Sequence, residues 1–285
     1  MNKWLCTCGL LLLLGMTSVA AENSRKLVPE LVGVVDDWMP QEVSVKGATQ
    51  GFAIYGKYGF VFHDKGQCVV VDIKKKKYVS TFQLQDNATH CNNACFGLEK
   101  ADKNSKFPVL YISECKGQHA CYVTDIALNG SRTVQKIFYD GSEFMGSFDW
   151  FVDRKNHYLY AFGGIGNKVK RAIRFKLPKI SDKDAQGELH LKETDVLARF
   201  DIPNINIYQG SLVYGDCFYL PDGYAPHDRL LHVYNWKKAE KVQILNLNDL
   251  IHEPEGLDVS GKWLYVVFHV AKQPRKSTLY RFALK

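Results

Sequence analysis

Gln50-Gly51-Phe52-Ala53-Ile54-Tyr55-Gly56, Gln209-Gly210-Ser211-Leu212-Val213-Tyr214-Gly215 and Glu255-Gly256-Leu257-Asp258-Val259-Ser260-Gly261 are one pattern written three times. In each, an amide or acid side chain precedes a glycine, a short apolar run follows, and a second glycine ends it. Looser versions stand at Asn93-Ala94-Cys95-Phe96-Gly97 and Gly146-Ser147-Phe148-Asp149-Trp150. The five restarts fall at intervals of 43, 53, 63 and 46 residues. After each come further runs rich in valine, isoleucine, tyrosine and phenylalanine, bounded by glycine, asparagine, aspartate and lysine, which is how strands read. A four-stranded unit of this size cannot bury both its faces alone, so its copies must stack. The expectation is an all-β chain, a five-bladed β-propeller with four-stranded blades; an open β-sandwich explains the regular restarts less well.

The last blade shows only three strand runs, at 257–259, 263–269 and 278–283. Its fourth is expected from the other end of the chain, where Leu31-Val32-Gly33-Val34-Val35 is an apolar run with no blade of its own. Pairing it with the C-terminal strand closes the ring and leaves no sheet edge inside it. The polar segment 181–194 carries no strand signal and reads as an exposed loop or a short helix. No glycine- or proline-rich linker separates the blades, so 22–285 reads as a single domain.

Residues 1–21 read as a signal peptide: Lys3, the apolar Leu10 to Leu14, then Ser18-Val19-Ala20-Ala21 as small residues at a cleavage site. The expected location is therefore secreted or periplasmic. No apolar run approaches the ~18 residues of a membrane span. Removal of the segment leaves 264 residues, 36 basic against 30 acidic, with six cysteines. The excess of positive charge is spread out, and its one dense run, Lys74 to Lys77, falls between two strands as a hairpin tip. With no basic face interleaved with aromatics, nucleic acid is not an expected partner. The expected partner is a peptide or carbohydrate, taken up by a monomer.

In a propeller the first strand of each blade lines the channel, and loops from all blades meet at its mouth, where ligand sites concentrate. The strand openings bring Gln50, His90, Asn92, Asn93, Gln209 and Glu255 there, with Asp149 one step inside. The hairpins add His63, Asp64, Asp222, His269 and Arg275. Glutamine before glycine is often a structural device, bonding backbone groups of neighbouring blades. Glu255 differs, because desolvation in a narrow channel raises a carboxyl pKa and suits it to acid/base work. Glu255, Asp149, His63 and Asp64 are thus the catalytic candidates, and Gln50, Asn93, Gln209, His90, Asp222 and His269 the ligand-binding ones. Nucleophile-elbow, zinc-protease, phosphate-loop and dinucleotide motifs are absent from the sequence.

Cys91, Cys95, Cys115 and Cys121 all fall in blade two. In an exported chain the default is disulfides, with Cys115 and Cys121 as the natural pair across a hairpin. A structural zinc held by these cysteines with His90 and His119 is the lesser alternative, because the spacing fits no standard zinc pattern; no other metal or cofactor is expected. Asn87-Ala88-Thr89 and Asn129-Gly130-Ser131 match the glycosylation acceptor pattern.

Ala48-Thr49-Gln50-Gly51-Phe52, followed by a tight turn and Phe60-Val61-Phe62-His63-Asp64-Lys65-Gly66, resembles the first blade of the plant and bacterial glutaminyl cyclase family. Those are secreted five-bladed propellers that cyclise N-terminal glutamine. The resemblance implies that Gln50 lines the pocket. It also implies that His63 stands at or beside the place of the family's catalytic glutamate, with Asp64 next to it. The residues support a binding module for a polar ligand, a peptide end or a glycan, held by Gln50, Gln209 and Glu255. An enzyme using the same site, glutaminyl-cyclase-like or hydrolytic, and a protein-interaction platform are the alternatives.

Overall fold

The computed structural model describes residues 27–86, 90–250, 252–270 and 276–284. Segment 1–21, read above as a signal peptide, the acceptor pattern Asn87-Ala88-Thr89 and Arg275 lie outside the described residues. The fold is a five-bladed β-propeller, each blade built on four antiparallel strands that run outward from the axis. Blade one comprises Thr49–Tyr55, Tyr58–His63, Gln67–Asp72 and Lys77–Gln83. The inner strands of the next three blades are Ala94–Phe96, Phe148–Asp153 and Leu212–Tyr214. Blade five is built from Glu253–Ser260, Trp263–Val270, Lys276–Ala283 and, outermost, the N-terminal strand Pro29–Val34.

The core is a closed circuit of interfaces between blades. Ala53, Phe60 and Phe62 of blade one meet Phe96, Leu110 and Ile112 of blade two. Blades two, three and four share a second cluster around Trp150, Phe151, Tyr160 and Phe218, all fully buried. Leu231 and Leu245 of blade four meet Leu257 and Phe268 of blade five, and Val267 and Leu279 of blade five return to Phe52 and Val69 of blade one. Each buried aromatic or aliphatic side chain contributes about 1.5–3 kcal/mol. Alternation in the strands sends half of these side chains to each neighbouring blade.

The N-terminal strand closes the ring as expected. It runs antiparallel to the C-terminal strand from Pro29 opposite Phe282 to Val34 opposite Thr278. Arg281 fastens it, bonding Glu30 at 2.9 Å while its guanidinium lies 4.0 Å from the centre of the Trp263 ring. Asp36 then accepts the Ser277 N–H at 2.6 Å.

The three similar restarts share a backbone feature that spacing alone does not disclose. Between Thr49 and Phe52, and again between Pro254 and Leu257, the pairing slips by one residue, so Gln50-Gly51 and Glu255-Gly256 are β-bulges. The same slip separates the Tyr208–Asp222 bridge from the Leu212–Tyr219 pair, placing Gln209-Gly210 in the same setting. The glycine is there because the next blade's backbone is in contact. A Cβ on Gly256 would sit 2.6 Å from the Gly51 carbonyl carbon and 2.8 Å from the Gln50 oxygen, and one on Gly51 would sit 2.8 Å from the Cys91 oxygen.

One element differs from expectation. Segment 181–194 holds a short strand, Glu188–Leu191, and a 3-10 turn, Glu193–Asp195. The strand leaves blade three and runs parallel to Ser131–Tyr139, adding a fifth strand to the outer edge of blade two. Its partner belongs to another blade, so no local hairpin pattern announces it.

Two outcomes follow from this closure. Deleting the residues up to Asp37 is expected to abolish the cooperative melting transition, measured by circular dichroism. Gly256→Ala is expected to lower stability by about 3 kcal/mol through overpacking, while Gly130→Ala, where a Cβ meets nothing within 4 Å, changes it by less than about 0.5 kcal/mol.

Candidate functional site

The bulges aim polar side chains at one end of the axis. Glu255, from blade five, is 1 % exposed, and Asp149, from blade three, is fully buried. Burial, then the negative charges of Glu253, Asp64 and Asp149, push the Glu255 carboxyl well above the usual carboxylate range. Burial pushes Asp149 up to about 7, against the pull of Asn92, whose Nδ2 donates to Oδ2 at 2.7 Å. Asp149 therefore exchanges its proton in the neutral range, and Glu255 holds its proton more tightly than an ordinary carboxyl, as its channel environment predicted.

Around these two sits a wetter rim. Asp64 pairs with His90 at 2.8 Å and accepts the Ala48 N–H at 3.1 Å. Burial pushes its carboxyl up, but the His90 and Ala48 hydrogen bonds outweigh it and hold the group below its ordinary value. Gln209 donates through Nε2 to Glu253, whose carboxyl is raised by burial. The half-buried Tyr208 gives its hydroxyl proton to the Ser147 carbonyl at 2.6 Å. Below, Asn93 ties three blades together, its Nδ2 donating to the Trp150 and Ser211 carbonyls at 3.0 and 2.9 Å. Further along the axis Arg154 of blade three bonds the buried Asp258 of blade five at 3.1 Å, and Asp258 also accepts the Ile54 N–H of blade one at 2.9 Å.

Four expected residues thus converge with Glu255: Asp64, His90, Asp149 and Gln209, with Asn93 beneath them and the Gln50 backbone against Gly256. Glu253 and Tyr208 join them and were not singled out from sequence. Glu253 precedes the bulge by two residues, so a second acid ahead of Glu-Gly was the available signal.

The others go elsewhere. His63 is 5 % exposed, and burial, with His269 nearby, pushes its imidazole down to about 4. His269 receives the Thr49 N–H at its Nδ1 at 3.4 Å. These two histidines lie in the seam between blades one and five, where the Thr49 and Ser277 hydroxyls also meet at 2.5 Å. The acid that reaches the axis from this hairpin is Asp64, not His63. Asp222 is spent on the fold, accepting the Asn206 and Ile207 N–H groups at 3.1 and 2.6 Å and pairing with His232 at 3.1 Å. It braces the segment that carries Tyr208 and Gln209.

The cysteine expectations are corrected. Cys91, Cys95, Cys115 and Cys121 form no disulfide, and neither do Cys68 and Cys217. Cys121 faces Ser113 in the ladder, and the Glu114 N–H bonds Ala120, which leaves Cys115 two positions out of register with Cys121. A diagonal pair is some 7–8 Å apart, beyond disulfide reach. Cys91 joins the blade one–two core, whereas Cys95 and Cys121 face blade three. His119 engages the Cys115 carbonyl at 3.0 Å. No cluster of three or more histidine, cysteine or acidic side chains able to hold a metal occurs among the described residues.

No protein-family model matches the chain, and no curated protein matches its sequence. Among solved structures it is similar to the tail fiber of Staphylococcus aureus phage P68, with a TM-score of 0.60 and 16% identity over 90% of this chain and 53% of that one. The chain thus spans about half the length of that fiber. It is also similar to Myxococcus xanthus glutaminyl cyclase, with a TM-score of 0.50 and 11% identity over 91% of this chain and 98% of the other. At such identities the likeness shows the fold alone; it fits the resemblance read from the first blade.

The raised Asp149 has a signed consequence. Between about pH 4 and about pH 7 the unfolded chain ionises this group while the folded chain holds its proton, so its contribution is complete below about 4 and lost as pH rises to about 7. Asp149→Asn is expected to raise the melting temperature at pH 8 and leave it unchanged at pH 4, read by scanning calorimetry across that range.

Proposed function

We propose that this protein is an exported propeller that binds a polar ligand, a peptide end or a glycan, at the mouth of its channel. The observation that carries the reading is a set of four buried oxygens without a hydrogen-bond partner: Gln50 Oε1, Asn93 Oδ1, Asp149 Oδ1 and Glu255 Oε2. They come from four different blades, and buried polar atoms of this kind ordinarily find partners. Gln50 Oε1 and Asn93 Oδ1 can only accept, and each carboxyl accepts once it yields its proton, so the complementary ligand brings donors, as an amino end or sugar hydroxyls do. The Asp64 and Glu253 carboxyls on the rim favour the amine. Export rests on the leader-like residues 1–21, and uptake from outside the cell suits a rim whose Asp64 and His90 side chains reach solvent.

Acid/base catalysis at the same place is the second reading, favoured by one observation: Asp149, held near neutrality by burial, stands in the field of Glu255. In that reading one carboxyl gives a proton while the other takes one.

Thermal-shift screening separates the two. Peptides with a free amino end are expected to stabilise the protein and to be recovered unchanged, while their acetylated counterparts do not; glycans are screened alongside. Asp64→Asn with Glu253→Gln is expected to weaken binding at least tenfold. Cyclisation of a peptide bearing N-terminal glutamine, lost in Glu255→Gln at unchanged melting temperature, transfers the assignment to catalysis. Absence of any stabilising ligand and of any turnover refutes both.

A further inference from the structure

Away from the axis, the arm of blade three that crosses to blade two encloses a cavity of about 690 Å³. Tyr111, Phe175 and Leu191 lining it are buried. Leu98 and Leu197 at its edge are 42% and 54% exposed, and Leu177 and Leu189 complete the apolar wall. The arm is pinned rather than draped. Gln135 Nε2 donates to the Lys179 and Asp182 carbonyls at 3.2 and 3.0 Å, Lys183 Nζ donates to the Val134 carbonyl at 2.6 Å, and Glu188–Leu191 is locked into the sheet. A wall fixed at so many points keeps the space open instead of collapsing onto it.

The rim gives the cavity a polarity. Its acids use their oxygens on backbone amides: Glu99 on Ile180 at 2.9 Å, Asp182 on Lys179 at 2.9 Å and Asp195 on Lys192 at 2.8 Å. The ammonium groups of Lys176 and Lys179, which also line it, form no hydrogen bond or ion pair among the described residues. The three carboxylates keep their charge, but each is engaged by a backbone amide, so the uncommitted donors at the rim are the two ammonium groups; the interior is leucine and aromatic ring. A volume of this size lies in the range of roughly 300–1,000 Å³ that holds small ligands.

We propose that this cavity binds a single-chain amphipathic carboxylate of the fatty-acid class. The chain lies among Leu177, Leu189, Leu191 and Leu197, and the carboxylate takes the Lys176 and Lys179 ammonium groups. The site is separate from the channel mouth and stands whether or not that site binds anything.

Titration calorimetry of the whole protein with octanoate, decanoate and laurate, each below its micelle concentration, tests this. The dissociation constant is expected to fall roughly fourfold for each added methylene, and decanol is expected to bind more weakly than decanoate. Lys176→Glu should erase that preference for the acid while leaving decanol binding unchanged. Leu197→Trp, at an exposed position, should weaken both at least tenfold without lowering the melting temperature. Absence of binding, affinity independent of chain length, or binding indifferent to Leu197→Trp would overturn the proposal. So would a dimer in sedimentation velocity that Leu197→Trp abolishes, which would assign the cavity to contact with a second copy.

Discussion

Backbone meeting backbone at the axis is the constraint on which this propeller depends. Five strands can crowd around so narrow a centre only where side chains are missing, and Gly51, Gly210 and Gly256 supply that absence at three of the five seams. The one-residue slip at these places does a second thing. It turns the preceding side chain, Gln50, Gln209 or Glu255, out of the sheet's ordinary alternation, as bulges do. Close packing of the blades and presentation of polar groups at the mouth are thus one backbone event.

Concentrating acids at such a place raises their free energy when ionised, because burial and mutual repulsion act in the same direction. Glu255 and Asp149 meet this by keeping their protons, Asp64 by pairing with His90, and Glu253 by accepting from Gln209. The strain is carried by the circuit of apolar seams outside it, where fully buried rings such as Trp150, Tyr160 and Phe218 interlock between blades. Asn93 and the Arg154–Asp258 pair add polar ties across the axis itself, so blades that are not neighbours in the ring are also joined.

The architecture was legible because it repeats. Restarts, strand runs and the unpaired N-terminal segment were enough to count blades and to close the ring. Gln50, Gln209 and Glu255 were legible as channel residues for the same reason. The hairpin residues were not, because a polar residue at a strand end can face the axis or turn sideways into a seam, and periodicity is silent on the choice. Asp64 went one way and His63, its neighbour, the other, while Asp222 turned back to brace its own loop. The cysteines misled through register: Cys115 and Cys121 bracket a hairpin, yet they stand two positions apart in its ladder. The strand Glu188–Leu191 was invisible because the pattern that calls for it lies fifty residues upstream in Ser131–Tyr139.

The pairing of Pro29–Val34 with Lys276–Ala283 has a temporal side. A ribosome delivers the first of these strands long before the second exists, because all the other blades lie between them in the sequence. Until then the blades between can form as local hairpins, but the circle stays a horseshoe with one strand waiting. Contacts between residues so distant along the chain close slowly, and an unpaired apolar strand held open for that interval is an edge that other chains can join. The charged clasp of Glu30 and Arg281 sits on this late seam, so ring closure is also the step that salt can reach.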